Sequence, residues 1–287
     1  MFPLLSKKQS IQYICIVAAV FLLSVGPTYW CGEYTERVPI LMYHQITDDG
    51  DINSSISCDA FESHIKALRD AGYTSISFEE LYDYAANNAP LPERRVIITF
   101  DDGYMSVYDY AFPILEKYGM KATVSIVGVL FGESTYKGLY YLPISPHFGD
   151  AEAREMAESG VFSIQSHSFD MHHFIPYEIG PPRVGILRRS DESLEEYVDA
   201  FIDDYSHAAE QIEASVGVRP FVYSYPFGRS TKLSEKLLKD MGVTVTLTIS
   251  PHINTVVKGC PDSLFKLGRL NVSGDMSPEE LLELIRY

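Results

Sequence analysis

Basic side chains are in short supply. The chain carries 23 Lys and Arg against 39 Asp and Glu, a formal net charge of −16. A surface of that sign repels phosphate, which excludes a protein that holds nucleic acid by charge. Cysteine is scarce as well: four in 287 residues cannot build a disulfide-stapled scaffold. Cys15 and Cys31 belong to the N-terminal stretch, and only Cys58 and Cys260 fall beyond it, where their pairing stays open. No low-complexity tract, short-period repeat or Pro/Gly-rich linker interrupts residues 38–287, so that stretch reads as one domain. Hydrophobic residues at 46% and charged residues at 22% exclude wholesale disorder.

The one long apolar run lies at the start. Residues 11–30 follow Lys7 and Lys8 and contain no charged side chain. Twenty helical residues span about 30 Å, the thickness of a bilayer core. The reading is a cytoplasmic tail over 1–10, a transmembrane anchor or cleaved signal peptide over 11–30, a linker over 31–37 and a single folded domain over 38–287. A lipoprotein at Cys31 is a third option, opposed by the bulky Tyr29 and Trp30 before it. The positive flank stays inside. The domain is therefore expected outside the cytoplasm, held at the cell membrane or secreted if the segment is cut.

Beyond this segment, short β-branched runs alternate with helical patterns. Strands are predicted at 38–42, 73–77, 96–100, 122–127, 161–165, 221–225, 243–249 and 267–272. Helices are predicted at 59–71, 78–87, 105–118, 150–159, 191–216, 232–241 and 278–285. Gly72, Gly119, Gly160 and Gly242 each follow a helix, where a left-handed cap is wanted. Ser277, Pro278 and Glu280 form an N-cap, N1 and N3 set. Repeated β-α alternation predicts an α/β fold, a distorted parallel (β/α) barrel, with a doubly wound open sheet as the alternative. In such a barrel the chemistry sits at the C-terminal ends of the strands.

Polar residues collect at those ends. Tyr43 and His44 follow the first strand, Asp101-Asp102-Gly103 the third, and Ser166-His167 the fifth, while residues 224–228 end the sixth. Two adjacent carboxylates closing an apolar strand must be solvated or paired. Neighbours along a strand point apart, so one can ligate a metal while the other acts as a base. A capping turn is the plainer explanation. His167, His172 and His173 crowd into one short stretch with Asp170. Imidazoles with one carboxylate give a three-ligand site with open positions, suited to Zn²⁺ or a similar divalent ion. A non-haem iron oxygenase uses the same ligand types, and a non-catalytic, membrane-tethered glycan-binding domain needs none of them.

Together these strings resemble the polysaccharide deacetylases of the NodB-homology class, carbohydrate esterase family 4. Thr99-Phe100-Asp101-Asp102-Gly103 is similar to the first motif of that family, Ser166-His167-Ser168 with His172 to the second, and Tyr225-Pro226-Phe227-Gly228 to the third. The resemblance implies a distorted barrel that removes acetyl groups from an N-acetylated polysaccharide or oligosaccharide. It implies a divalent metal, zinc first, with Co, Ni or Fe as alternatives. It also implies Asp102, His167 and His172 as metal ligands, Asp101 as the catalytic base and the Phe227 N–H as the oxyanion donor. The departures are specific. The histidines stand five apart, with Met at 171, as in the poly-β-1,6-N-acetylglucosamine deacetylase branch, which leaves His173 as a competing ligand. The usual third motif carries an arginine near where Ser224 stands here, so Arg269 in the last strand becomes the candidate that orients Asp101. The late Leu-x-His motif is missing, so His44 is expected as the general acid, with His252 as the alternative. Tyr43, Tyr104 and Phe174 are candidate sugar-stacking aromatics on the rim, although several of them are expected simply to pack, because the chain has many Tyr and Phe residues to bury.

Overall fold

The computed structural model describes residues 34–139, 141–173, 178 and 183–286. The apolar run 11–30, Cys15, Cys31 and Phe174 lie outside the described residues. Among the described residues no helix is long and apolar enough to cross a membrane.

The chain opens with β1 (Thr35–Val38) and β2 (Ile40–Tyr43), then the short β3 (Gln45–Ile46) and β4 (Ser55–Ile56). There follow α1 (Cys58–Asp70), β5 (Thr74–Ser75), α2 (Phe78–Asn87) and β6 (Arg95–Asp102). A π-helical turn, Val107–Ala111, runs into α3 (Phe112–Tyr118), and then come β7 (Ala122–Val127), α4 (Asp150–Glu158) and β8 (Phe162–Ser168). The last part holds α5 (Leu194–Val216), β9 (Val222–Ser224), α6 (Lys232–Asp240), β10 (Val245–Leu247), β11 (Asn254–Val257), β12 (Leu270–Asn271) and α7 (Pro278–Leu284). All eight predicted strands and all seven predicted helices are present, with ends moved by a few residues.

The main sheet runs β10-β9-β8-β7-β6-β2-β12, with β5 added on β6, and every pairing in it is parallel. Strands covered on both faces carry near-continuous apolar runs. Accordingly all six residues of β7 are buried, as are the first seven of β6. Leu267 forms one further parallel bridge, to Leu247 of β10. Its N–H donates to the Thr246 carbonyl at 2.9 Å, and its carbonyl accepts from the Thr248 N–H at 2.8 Å. Residues 267–271 thus touch β10 at one end and β2 at the other, and the sheet curls until its two edges share this segment. The result is the expected distorted barrel. Its weak seam is the β8–β9 boundary, where one residue pair, Ser166 with Tyr223, joins the strands.

Local signals explain the helix ends. Gly72, Gly119, Gly160 and Gly242 all take positive φ. Ser277 and Glu280 form a reciprocal capping box around Pro278. The sequence pattern does not reveal the antiparallel β1–β11 pair or the β3–β4 pair. β1 alternates exposed and charged positions, and two-residue strands are too short to show a period. Cys58 is free and Cys260 is disulfide-bonded, so these two do not pair, and the partner of Cys260 lies outside the described residues.

The largest fully buried side chain is an arginine. Arg269 sits in the closing segment with no solvent exposure and makes a two-pronged contact with Asp101, Nη1 to Oδ1 at 2.7 Å and Nη2 to Oδ2 at 2.6 Å. Its Nε donates to the Thr248 carbonyl at 3.1 Å. Removing one partner of a buried ion pair strands the other charge and costs about 3–5 kcal/mol. Arg269→Met should therefore lose about that much stability in urea unfolding, and adding Asp101→Leu should recover much of it. A double variant as unstable as the sum of the single changes would show that the two residues are not coupled.

Candidate active site

Asp101 and Asp102 end β6 where it leaves the sheet. Asp102 takes a left-handed backbone, φ 74°, and Gly103 follows at φ 87°. A Cβ at Gly103 would stand 3.0 Å from the Ile126 side chain, so the turn needs glycine both for its φ and for the close approach. His167 lies at the end of β8, followed by Ser168 at φ 134°. Phe227 at φ 55° sits in the turn Pro226–Gly228 after β9. Three rim residues are therefore held in conformations that side chains resist, and such strain gathers where surrounding structure over-determines a site.

These turns bring the expected ligands together. His167 Nδ1–H donates to the Ser224 carbonyl at 2.7 Å, which fixes the tautomer and leaves the Nε2 lone pair free. That Nε2 is 3.7 Å from Asp102 Oδ1, and His172 Nε2 is 3.8 Å from the same oxygen. Ligand atoms of Asp102, His167 and His172 lie within 4.8 Å of one another. Asp102 Oδ1 is buried and has no hydrogen-bond partner. A buried carboxylate oxygen left open between two imidazole nitrogens, in an N₂O donor set, fits a divalent cation such as zinc.

The charges are arranged to match. Burial alone would raise the Asp101 pKa, but the Arg269 charge, His167 and the Arg269 hydrogen bonds outweigh it and hold the carboxyl well below the usual range. Burial also opposes ionisation of Asp102, and His172, His44 and His167 reverse it, so this carboxyl too is lowered. Burial pulls His167 down to about 4 against the opposing pull of Asp101, so the ring is neutral at physiological pH and its lone pair is available.

A second trio, Asp170, His173 and Glu178, also clusters. It already holds a cation. The Lys137 ammonium is 2.7 Å from Asp170 and 2.9 Å from Glu178, and His173 Nδ1 accepts the Arg183 backbone N–H at 3.0 Å. His173 thus belongs to this cluster and not to the first. His44 is half-buried just past β2, near enough to both carboxylates to lower their pKa values. His252 is exposed and packs against Gly268. In the Phe227 turn the Gly228 and Arg229 N–H groups bond to the Tyr225 and Pro226 carbonyls, leaving the Phe227 N–H outside these bonds. The Phe227 ring, 43% exposed, lies 4.4 Å from the His172 ring, centroid to centroid.

One rim expectation is corrected. Tyr43 is 1% exposed, packs against Phe61 and Phe100, and contacts His64 Nδ1 with its hydroxyl, because β2 is covered on both faces. It belongs to the core and offers no stacking surface. Tyr104 does stand at the site, its hydroxyl raised in pKa first by the Asp102 charge and then by burial. Two contributors escaped the sequence reading. Asp204 on α5 accepts the backbone N–H of Phe169 at 2.9 Å and of Asp170 at 2.6 Å, which pins the loop carrying His172. A signal for it existed: Asp204 falls on the buried face of α5 with Tyr197, Phe201 and Ala208. His147 lies in a loop with no pattern to mark it.

A curled parallel barrel is also the fold that comparison with solved structures returns. The polysaccharide deacetylase family model matches residues 88–246, more than half of the chain, and the chain belongs to that family. It is 29% identical over 245 residues to the YxkH protein of Bacillus subtilis (strain 168), covering 85% of this chain and 75% of that one. It is 26% identical over 229 residues to the poly-β-1,6-N-acetyl-D-glucosamine N-deacetylase of Escherichia coli (strain K12), covering 73% of this chain but only 33% of that protein. The de-N-acetylase structure from Aggregatibacter actinomycetemcomitans shares the fold with a TM-score of 0.71 at 24% identity, over 87% of this chain and 100% of that one.

The Asp204 clamp carries a pH signature. Burial raises its pKa to about 6, against the hydrogen bonds from Asp170 and Phe169, whereas an unfolded aspartate titrates near about 3.9. The folded state therefore holds this proton more tightly. The associated stability is full below about pH 4 and is lost as pH rises through about 6. Asp204→Asn should remove that fall, on the order of 2–3 kcal/mol, from urea unfolding compared at pH 4 and pH 7. An unchanged pH profile in the variant would mean that folding does not shift this group.

Proposed function

We propose that the protein is a metal-dependent N-deacetylase that hydrolyses the acetamide of an N-acetylated polysaccharide outside the cytoplasm. The substrate class is a glycan of the poly-β-1,6-N-acetylglucosamine type, the substrate in the name of the E. coli relative. One observation carries the reading. The adjacent carboxylates have different partners, Asp101 an arginine and Asp102 two imidazoles, which suits one to proton transfer and the other to ligation. The apolar run 11–30 supports a membrane-held or exported domain.

Asp102, His167 and His172 would hold the metal, with zinc favoured by the N₂O set and Co, Ni or Fe able to use it. When bound, a divalent metal supplies Lewis-acid polarisation of a carbonyl and lowers the pKa of water. Asp101 takes the proton of the attacking water. Arg269 keeps it ionised and fixes its plane, and because a carboxylate held this low is a weak base, position counts as much as basicity. The Phe227 N–H donates to the oxygen that gains charge as the acetyl carbon becomes tetrahedral. His44 gives a proton to the amide nitrogen as the C–N bond breaks, releasing acetate and a free amine on the sugar. Without that proton the nitrogen is a poor leaving group.

The roles separate experimentally. Asp101→Asn should keep the metal and lose about 10²- to 10⁴-fold in turnover, the usual effect of deleting a general base. Asp102→Asn, His167→Ala and His172→Ala should lose the metal, whereas His173→Ala keeps metal and activity. Metal content by mass spectrometry and acetate release from N-acetylglucosamine oligomers check both. Equal metal loss from the two aspartate variants would overturn the division of labour. Oligomer binding with no acetate release from the metal-loaded wild type would instead make this a glycan-binding domain.

A second prediction concerns the acid. His44→Ala should retain the metal and lower kcat about 100-fold or more on the amide. An activated aryl acetate, whose leaving group needs no proton, should be hydrolysed almost normally. Equal loss on both substrates would assign His44 to structure or substrate placement.

A further inference from the structure

The connection from β7 to α4, described over residues 128–139 and 141–149, lies over one side of the site and walls a cavity of about 240 Å³. Asp102 and His172 form part of its lining, Leu130 and Ile144 give it apolar wall, and Tyr104, Tyr136 and His147 add further polar rings. That volume is below the roughly 300–1,000 Å³ of pockets for drug-sized ligands. It suits one pyranose ring, which has an apolar C–H face and hydroxyls at its edge.

His147 is the anomaly in that wall. It is 4% exposed and its ring lies 4.8 Å from the Tyr104 ring; one ring nitrogen leans on the Ser145 backbone without good hydrogen-bond geometry, and the other has no partner. Its backbone is fully used: the N–H donates to the Glu133 carbonyl at 2.9 Å, and an antiparallel bridge ties it to Tyr104. The residue is thus fixed beside the Asp-Asp-Gly turn while its side chain is left only partly satisfied. A buried neutral imidazole presents one donor and one acceptor, and leaving the second nitrogen unpaired carries a penalty that native structures rarely keep without use. A sugar hydroxyl, itself donor and acceptor, is the matching partner.

We propose that this cavity is a saccharide subsite and that His147 is its specificity-determining residue, hydrogen-bonding a hydroxyl of the sugar unit beside the scissile acetamide. The inference rests on the deacetylase reading for the identity of the ligand. The ring nitrogens are shielded in the ligand-free protein, so binding includes a small rotation of the imidazole within the cavity wall. Sites built to bond a hydroxyl reject analogues that lack it far more strongly than apolar pockets reject a missing methylene.

The test is calorimetric titration of the full metal-loaded chain with a β-1,6-linked N-acetylglucosamine tetramer, with acetate release followed in parallel. His147→Phe, which keeps the aromatic stack on Tyr104, should weaken binding at least tenfold with metal content unchanged. His147→Gln, which restores a donor and an acceptor, should come within about threefold of wild type. Wild-type affinity in His147→Phe would overturn the proposal, and so would equal loss in both variants. A wild type that binds the tetramer through His147 without releasing acetate would sink the deacetylase reading and leave the subsite standing. A wild type that neither binds nor hydrolyses would overturn both.

Discussion

A guanidinium with no solvent exposure has to find a carboxylate, and in this chain the carboxylate is Asp101 at the mouth of the barrel. Arg269 can reach it only because residues 267–271 bridge the two edges of the sheet. The ion pair and the closure of the barrel therefore depend on each other. The same contact keeps Asp101 charged despite its burial and turns its plane toward the site. Fold and chemistry share one interaction, which explains why a barrel joined at two places by a single residue pair can still hold a defined rim.

Around that pair the rim divides its labour through backbone geometry. Asp102, Ser168 and Phe227 all take positive φ without being glycine, and each follows or ends a strand that feeds the site. The turn at Asp102 gives Asp101 the Arg269 guanidinium and Asp102 the His172 ring, with His167 Nε2 between them at 4.0 and 3.7 Å. The Ser224 carbonyl sets the His167 tautomer from the next strand, and Asp204 holds the His172 loop from the helix behind. Each supporting contact uses a backbone group or a helix side chain, so ligand placement is spread across β6, β8, α5 and β9. In the neighbouring trio, Lys137 occupies the place of a cation, which keeps two acidic clusters a few residues apart from competing for one ion.

Much of this was legible in the sequence because the barrel strands are long enough to show a pattern and the chemistry is packed into short strings. The β-α alternation pointed to the fold, and the carboxylates ending β6 with the histidines at and beyond the end of β8 pointed to the candidate site. Arg269 was reachable only through the resemblance, since the family's third motif carries an arginine near the position that Ser224 fills here. Tyr43 misled because an aromatic before a rim histidine looks like a stacking surface, and only the covering of both faces of β2 shows that it is core. The β1–β11 and β3–β4 pairs fall below the length at which periodicity speaks. His147 has no local signature at all: its meaning comes from a fold that carries a loop residue back against Tyr104, 43 positions earlier in the chain. Asp204 lies between these cases, since the helical period placed it inward and only the contact to residues 169 and 170 gave the reason.

The division between Asp101 and Asp102 is the claim on which the chemistry turns. The most direct test is a crystal structure of the metal-loaded protein recorded at the absorption edge of the metal. The anomalous peak should be coordinated by Asp102, His167 and His172, with metal–nitrogen distances of about 2.0–2.1 Å for zinc. Asp101 should stay on Arg269, unbound to the ion. A metal ligated by Asp101, or seated between Asp170 and Glu178 in place of Lys137, would contradict it.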